Sequence, residues 1–145
     1  QNGESGLRYC EEFSMYAGIS KIKMIDGYTR FESMVIEQIT DILEQSEFSL
    51  SKSDTQLIIS TTKGNIELLA NDCDNIAERT FLYTSAEIIA KYFHTYNKPI
   101  VISNACISGV SAFVRTPIFL NSSTIAMNFW KFGFSVAFII FILPS

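Results

Sequence analysis

The sequence predicts an α/β fold, a mostly parallel sheet with helices on both faces. Three observations point there. Two short runs, Gln56–Ser60 and Pro99–Ser103, are apolar and β-branched without clean alternation, as strands buried on both faces are. Each run is reached through an amphipathic helical segment that opens with capping-box spacing, an order that favours parallel strands. A chain of 145 residues that is 48% apolar is one domain's worth of polypeptide with ample material for a core.

Residues 1–28 show no sustained period and read as a surface loop with short packed pieces, punctuated by Gly3, Gly6, Gly18 and Gly27. Thr29-Arg30-Phe31-Glu32 has the spacing at which a hydroxyl and a carboxylate satisfy each other's backbone donors. Behind it, Val35, Ile39, Ile42 and Leu43 form one stripe with Glu37, Gln38, Asp41 and Glu44 opposite, a helix ending near Ser46. Ser49–Asp54 is a polar turn, Gln56–Ser60 a strand, and Thr61-Thr62-Lys63-Gly64-Asn65 the loop that leaves it. Asn71-Asp72-Cys73-Asp74-Asn75 reads as loop. Thr84-Ser85-Ala86-Glu87 repeats the capping spacing and opens a helix with Ile88, Ile89, Tyr92, Phe93 and Tyr96 inward, stopping before Asn97-Lys98-Pro99. Pro99–Ser103 is the second strand, and Asn104-Ala105 turn the chain into a helix that begins at Cys106, directs Ile107, Val110 and Val114 inward, and ends at Pro117. In parallel sheets, ligand chemistry gathers beyond the carboxyl ends of the strands, which here are Thr61–Asn65 and Asn104–Gly109.

Cys106 is the candidate nucleophile. A thiol where a strand gives way to a helix N-terminus meets unpaired N–H groups and a partial positive charge, both of which favour thiolate. The bland alternative is a small buried hydrophobe. His94 is the single histidine and reads as a helix-surface residue without a role. Lys63-Gly64 lacks the surrounding pattern of a phosphate-binding P-loop.

Composition excludes several classes. A net charge of −4 with no Lys/Arg cluster argues against nucleic acid. Three cysteines, Cys10, Cys73 and Cys106, fit neither a disulfide framework nor a metal motif, so a reducing, cytoplasmic setting is expected. Gln1–Gly6 carries no initiator Met and no signal pattern, as expected of a stretch that begins inside a longer gene product. Composition also shifts along the chain: the last acidic residue is Glu87, and after Arg115 the only charge is Lys131. Residues 1–114 and 115–145 are therefore treated as two regions, the second an atypical apolar tail. Phe132–Leu143 is about a dozen nearly continuous apolar residues, short of the roughly 20 that span a bilayer, so a core strand or buried helix is expected rather than a membrane segment.

Asn104-Ala105-Cys106-Ile107-Ser108-Gly109 resembles the A-C-x-S-G nucleophile motif of the β-ketoacyl-acyl-carrier-protein synthases, which have the thiolase-like fold. Pro99–Ser103 is similar to the strand before that motif and Val110-Ser111-Ala112 to the start of the helix after it. Leu57–Asn65 is similar to the family's strand and Thr-rich turn, and Gly3-Glu4-Ser5-Gly6-Leu7 resembles its G-x-S-G turn. The resemblance covers roughly residues 1–114 and so implies an incomplete thiolase-like fold.

The resemblance implies a decarboxylative Claisen condensation. An acyl group passes from the phosphopantetheine of an acyl carrier protein to Cys106, and the carbanion from a malonyl thioester then attacks it. The backbone N–H of Cys106 supplies part of an oxyanion hole in this scheme. Thr61 and Thr62 are candidates to line the acyl pocket or a dimer interface, or simply to finish a strand, and Ser108 is a further substrate-binding candidate. No bound cofactor is implied. The family's homodimer pairs the strand before the cysteine across a two-fold axis, here Ile100–Asn104. Its condensation also uses two histidines, or a His/Asn pair, from a C-terminal half that these residues do not contain, so the stretch by itself is expected not to condense. Two alternatives stay open: a non-catalytic dimerising homologue, and a small membrane-associated protein using its Phe-rich tail.

Overall fold

The computed structural model describes residues 7–18, 22–45, 49–70, 77–105, 107–108, 110–112 and 137–142. Over these residues it is a small α/β domain with two sheets: a hairpin of β1 (Leu7–Cys10) and β2 (Met15–Gly18), and a three-stranded sheet. Between them run α1 (Arg30–Glu44), β3 (Thr55–Ser60), two 3₁₀ turns (Ile66–Ala70 and Ala77–Thr80), α2 (Leu82–Tyr92) and β4 (Ile100–Ile102); β5 (Ala137–Ile142) follows.

The first helix starts where the sequence places it. Extended Thr29 accepts from the Glu32 N–H, and the Glu32 carboxylate accepts from the Thr29 N–H at 2.9 Å, a closed capping box. Phe31, Val35, Ile36, Ile39 and Ile42 then fall on one face and pack with Leu57, Ile59, Ala86 and Ile89. Ile39, Ile59 and Ile89 are at most 1% exposed, and burying each such side chain contributes about 1.5–3 kcal/mol.

β3 is the central strand, in the order β4-β3-β5. Its alternation divides the core between two faces. Leu57 and Ile59 meet α1 and α2, whereas Ile58 packs with Ala112, Ile100 and Ile102. β3 and β4 are parallel, with Ile58 opposite Ile100 and Ser60 opposite Ile102. Their starts are held level by side-chain amides. Asn97 donates to the Ser53 and Thr55 carbonyls at 2.9 and 2.8 Å, and Gln56 donates to Lys98 O at 2.7 Å.

The expectation of a mostly parallel sheet is corrected: β5 pairs antiparallel with β3 from Thr55↔Ile142 to Ser60↔Ala137, so the sheet is mixed. An apolar β-branched run specifies a buried strand but not its direction, which the route of the chain decides. Of Phe132–Leu143 the described residues, Ala137–Ile142, form a strand, and among the described residues no helix is long and apolar enough to cross a membrane.

Four local expectations are also corrected. Residues 7–18 are a hairpin rather than a loop, closed by Ser14 at φ 48° and by a Tyr9–Tyr16 edge-to-face pair 5.4 Å apart. α2 begins at Leu82, not at a Thr84 box: Phe81 is the cap, and its carbonyl accepts from Thr84 and Ser85 N–H. Ser85 is drawn into the buried polar cluster described below, which leaves the local box unmade. The same helix ends before Tyr96, in paired bonds from His94 N–H to Lys91 O and from Thr95 N–H to Ala90 O. His94 thus sits past the helix at φ 50° rather than on its surface. Finally, Ile107 and Val110 face outward at 55% and 60% exposure, while Ser108 and Ala112, four residues apart on one helical face, are buried.

Candidate active site

The parallel register brings the carboxyl ends of β3 and β4 side by side, and Thr61 N–H continues the ladder by donating to Ile102 O at 3.1 Å. The loop from Thr61 and the turn from Asn104 therefore leave the same end of the sheet, as the sequence suggests.

On the β3 side, Thr61 is buried and its hydroxyl accepts from the Lys63 and Gly64 N–H groups, both at 3.3 Å. That ST-turn uses the hydroxyl's acceptor capacity to shape its own loop. Thr62 beside it is exposed. Gly64 sits at φ 51°, a left-handed conformation that favours glycine, with the methyl end of the Leu82 side chain against the position a Cβ would take.

The loop is anchored by Asn65, which sequence reasoning missed. Fully buried, its amide lies within hydrogen-bonding distance of Glu32 Oε1 (2.9 Å), Arg79 O (2.9 Å) and Ser85 Oγ (3.0 Å), and its oxygen accepts from Thr29 Oγ1. Arg79 completes the cluster with Nη2 2.6 Å from Glu32 Oε2 and 2.8 Å from Gly27 O, and Nε 3.3 Å from Glu32 Oε1. The carboxylate of the capping box is thus also the acceptor that joins α1 to the β3 loop and the second 3₁₀ turn. The capping spacing was the one sequence signal for this cluster, since its other members lie up to 47 residues away.

On the β4 side, Ala105 adopts φ 44°, a left-handed conformation that is uncommon outside glycine. Its turn is clasped by Ser108. The Ser108 hydroxyl is fully buried, accepts from Asn104 N–H at 2.7 Å and donates to Ala105 O at 2.8 Å. A hydroxyl has one proton, so in this turn that of Ser108 is committed to the backbone. Asn104 Nδ2 donates onward to Ser111 Oγ at 2.9 Å, and Ser111 N–H donates to Ile107 O at 2.8 Å as the helix sets in. Cys106 lies outside the described residues, as do Gly109 and Cys73; the described neighbours Ala105 and Ile107 bracket its place in the chain.

Ser60, the last residue of β3, shows no sequence signal. It is fully buried, and among the described residues its Oγ has no hydrogen-bond partner. Among the described residues no cluster of His, Cys, Asp or Glu is arranged to hold a metal ion. No protein-family model, no curated protein and no solved structure matches the chain.

Proposed function

We propose that this chain carries the nucleophile-bearing part of a β-ketoacyl-acyl-carrier-protein synthase-like acyltransferase of the thiolase-like fold, with Cys106 as the acyl acceptor. The observation that supports the reading is the turn after β4, where a strained Ala105 and the Ser108 clasp stand in the strand–turn–helix setting of the nucleophile motif. Strain of this kind persists where the surroundings over-determine it and clusters at reacting centres.

In this reading the Cys106 thiolate attacks the carbonyl carbon of an acyl-pantetheine thioester. A new carbon–sulfur bond forms to Cys106, the bond to the pantetheine sulfur breaks, and the released pantetheine thiolate takes up the proton that Cys106 gave away. The partner is an acyl carrier protein in the cytoplasm. β4, an edge strand among the described residues, offers Ile100–Asn104 to a second copy. The decarboxylative half of the condensation draws on histidines outside these residues.

Alkylation by iodoacetamide, followed by peptide mass mapping, tests the assignment. Cys106 is expected to label faster than Cys10 and Cys73, and to be protected by prior incubation with an acyl-pantetheine thioester. Equal, slow labelling of all three would overturn it. A dimer by light scattering that takes up no acyl group would favour the non-catalytic, dimerising reading instead.

A further inference from the structure

No aspartate of this chain other than Asp26 is followed by glycine. Asp26 and Gly27 turn the chain just ahead of the α1 cap. Tyr28 N–H donates to Ile25 O at 3.1 Å across them, Gly27 sits at φ 79°, and Asp26 is outside the left-handed region, the pattern of a type II turn. Both residues are exposed, and the space that a Cβ on Gly27 would take has no atom within 4 Å. Neither a side chain of its own nor a packed neighbour crowds that side of Gly27. The turn is tied to the rest of the fold by Arg79 Nη2, 2.8 Å from Gly27 O, and by Ile25 N–H, 3.1 Å from Ser33 Oγ. Exposed turns held this lightly open locally at low cost.

We propose that Asp26 is a site of spontaneous covalent modification, isomerising to isoaspartate, and that the change unties Arg79 from the turn. In the opened turn the Gly27 nitrogen attacks Asp26 Cγ. The carboxyl's hydroxyl leaves with the amide proton as water, and a five-membered imide closes. Water then adds at the Asp26 main-chain carbonyl carbon, the bond from that carbon to Gly27 N breaks, and the nitrogen regains its proton. The chain now runs through Asp26 Cβ and Cγ, and the former main-chain carbonyl is a carboxylate. One water is lost and one gained, so the mass is unchanged and no oxidant or cofactor enters. The extra backbone atom lies inside the ring that Tyr28 N–H closes on Ile25 O. It displaces Gly27 O from Arg79, whose remaining bonds hold the Glu32 carboxylate of the α1 cap.

The experiment ages the full chain for weeks in neutral buffer at physiological temperature, then maps tryptic peptides and records thermal melts. The peptide Met24–Arg30 contains Asp26 as its single aspartate. It is expected to split into two forms of identical mass, one of which resists a protease that cuts before aspartate. Asp41 is exposed too but precedes Ile42, and its peptide is expected to stay single. Aged protein is expected to melt a few degrees below fresh protein. Asp26→Glu, whose longer side chain would have to close a six-membered ring, is expected to keep a single peptide and an unchanged melt. Asn2-Gly3 serves as the clock, because an asparagine before glycine deamidates by the same ring closure. A single Met24–Arg30 peptide in a sample whose Asn2 has deamidated overturns the assignment, and so does equal splitting at Asp41. Splitting at Asp26 with no fall in the melt overturns the untying of Arg79.

Discussion

Replacing Arg79 with alanine takes away two of the four hydrogen bonds that hold the Glu32 carboxylate, those from Nε and Nη2, and leaves those from Thr29 N–H and Asn65 Nδ2. Glu32 is fully buried while the Arg79 side chain is 36% exposed, so the perturbation strands a carboxylate on the inner side of a pair whose outer member is partly solvated. Removing one partner of a fully buried pair costs about 3–5 kcal/mol. Two bonds and half-open solvation on the arginine side reduce that, and Arg79→Ala is expected to destabilise by about 2–3 kcal/mol. Urea unfolding is the assay, and with a slope of about 2 kcal/mol per molar the midpoint falls by roughly 1–1.5 M. Glu32→Gln keeps an oxygen for the capping box and removes the charge, so the Glu32→Gln/Arg79→Ala cycle isolates the pair, with a coupling of about 1.5–3 kcal/mol expected. An Arg79→Ala cost below about 0.5 kcal/mol, the value of an ordinary surface ion pair, would refute the claim that this cluster joins the β3 loop to the helix cap.

Two further outcomes follow from backbone geometry. His94→Gly is expected to stabilise the protein by about 0.5–1 kcal/mol, because glycine adopts the left-handed φ of 50° that ends α2 without strain; a lower melting temperature would contradict that cap. Ser108→Ala leaves the Asn104 N–H and the Ala105 carbonyl without their buried partner. Because Asn104 and Ala105 are themselves exposed, water can replace the hydroxyl, and a loss of about 0.5–1.5 kcal/mol is expected, together with faster amide hydrogen exchange at Asn104; unchanged exchange there would show that the clasp does not hold the turn.

The sequence by itself determined what depends on neighbours along the chain. α1 was legible because its capping box and its apolar stripe are complete within residues 29–44. β3 and β4 were legible because short β-branched runs between turn residues have few other uses. The parallel pairing of those two strands, and with it the sheet end where the Thr61 and Asn104 turns emerge together, followed from the helix between them.

Only the tertiary structure decided what depends on distant partners. Thr84 and Glu87 have capping spacing, yet α2 starts at Leu82 because Asn65 claims Ser85 and the Phe81 carbonyl takes the first N–H groups. Ile107 and Val110 look like core residues in any periodic reading, but in the folded turn Ser108 and Ala112 are the buried residues and these two face outward. The direction of β5, the left-handed Ala105 and the buried Ser60 hydroxyl leave no mark on local composition. The physical reason is common to all of them. Propensity and periodicity report how a residue meets its neighbours within about one turn, whereas a buried polar atom is settled by whichever donor or acceptor the fold delivers from tens of residues away.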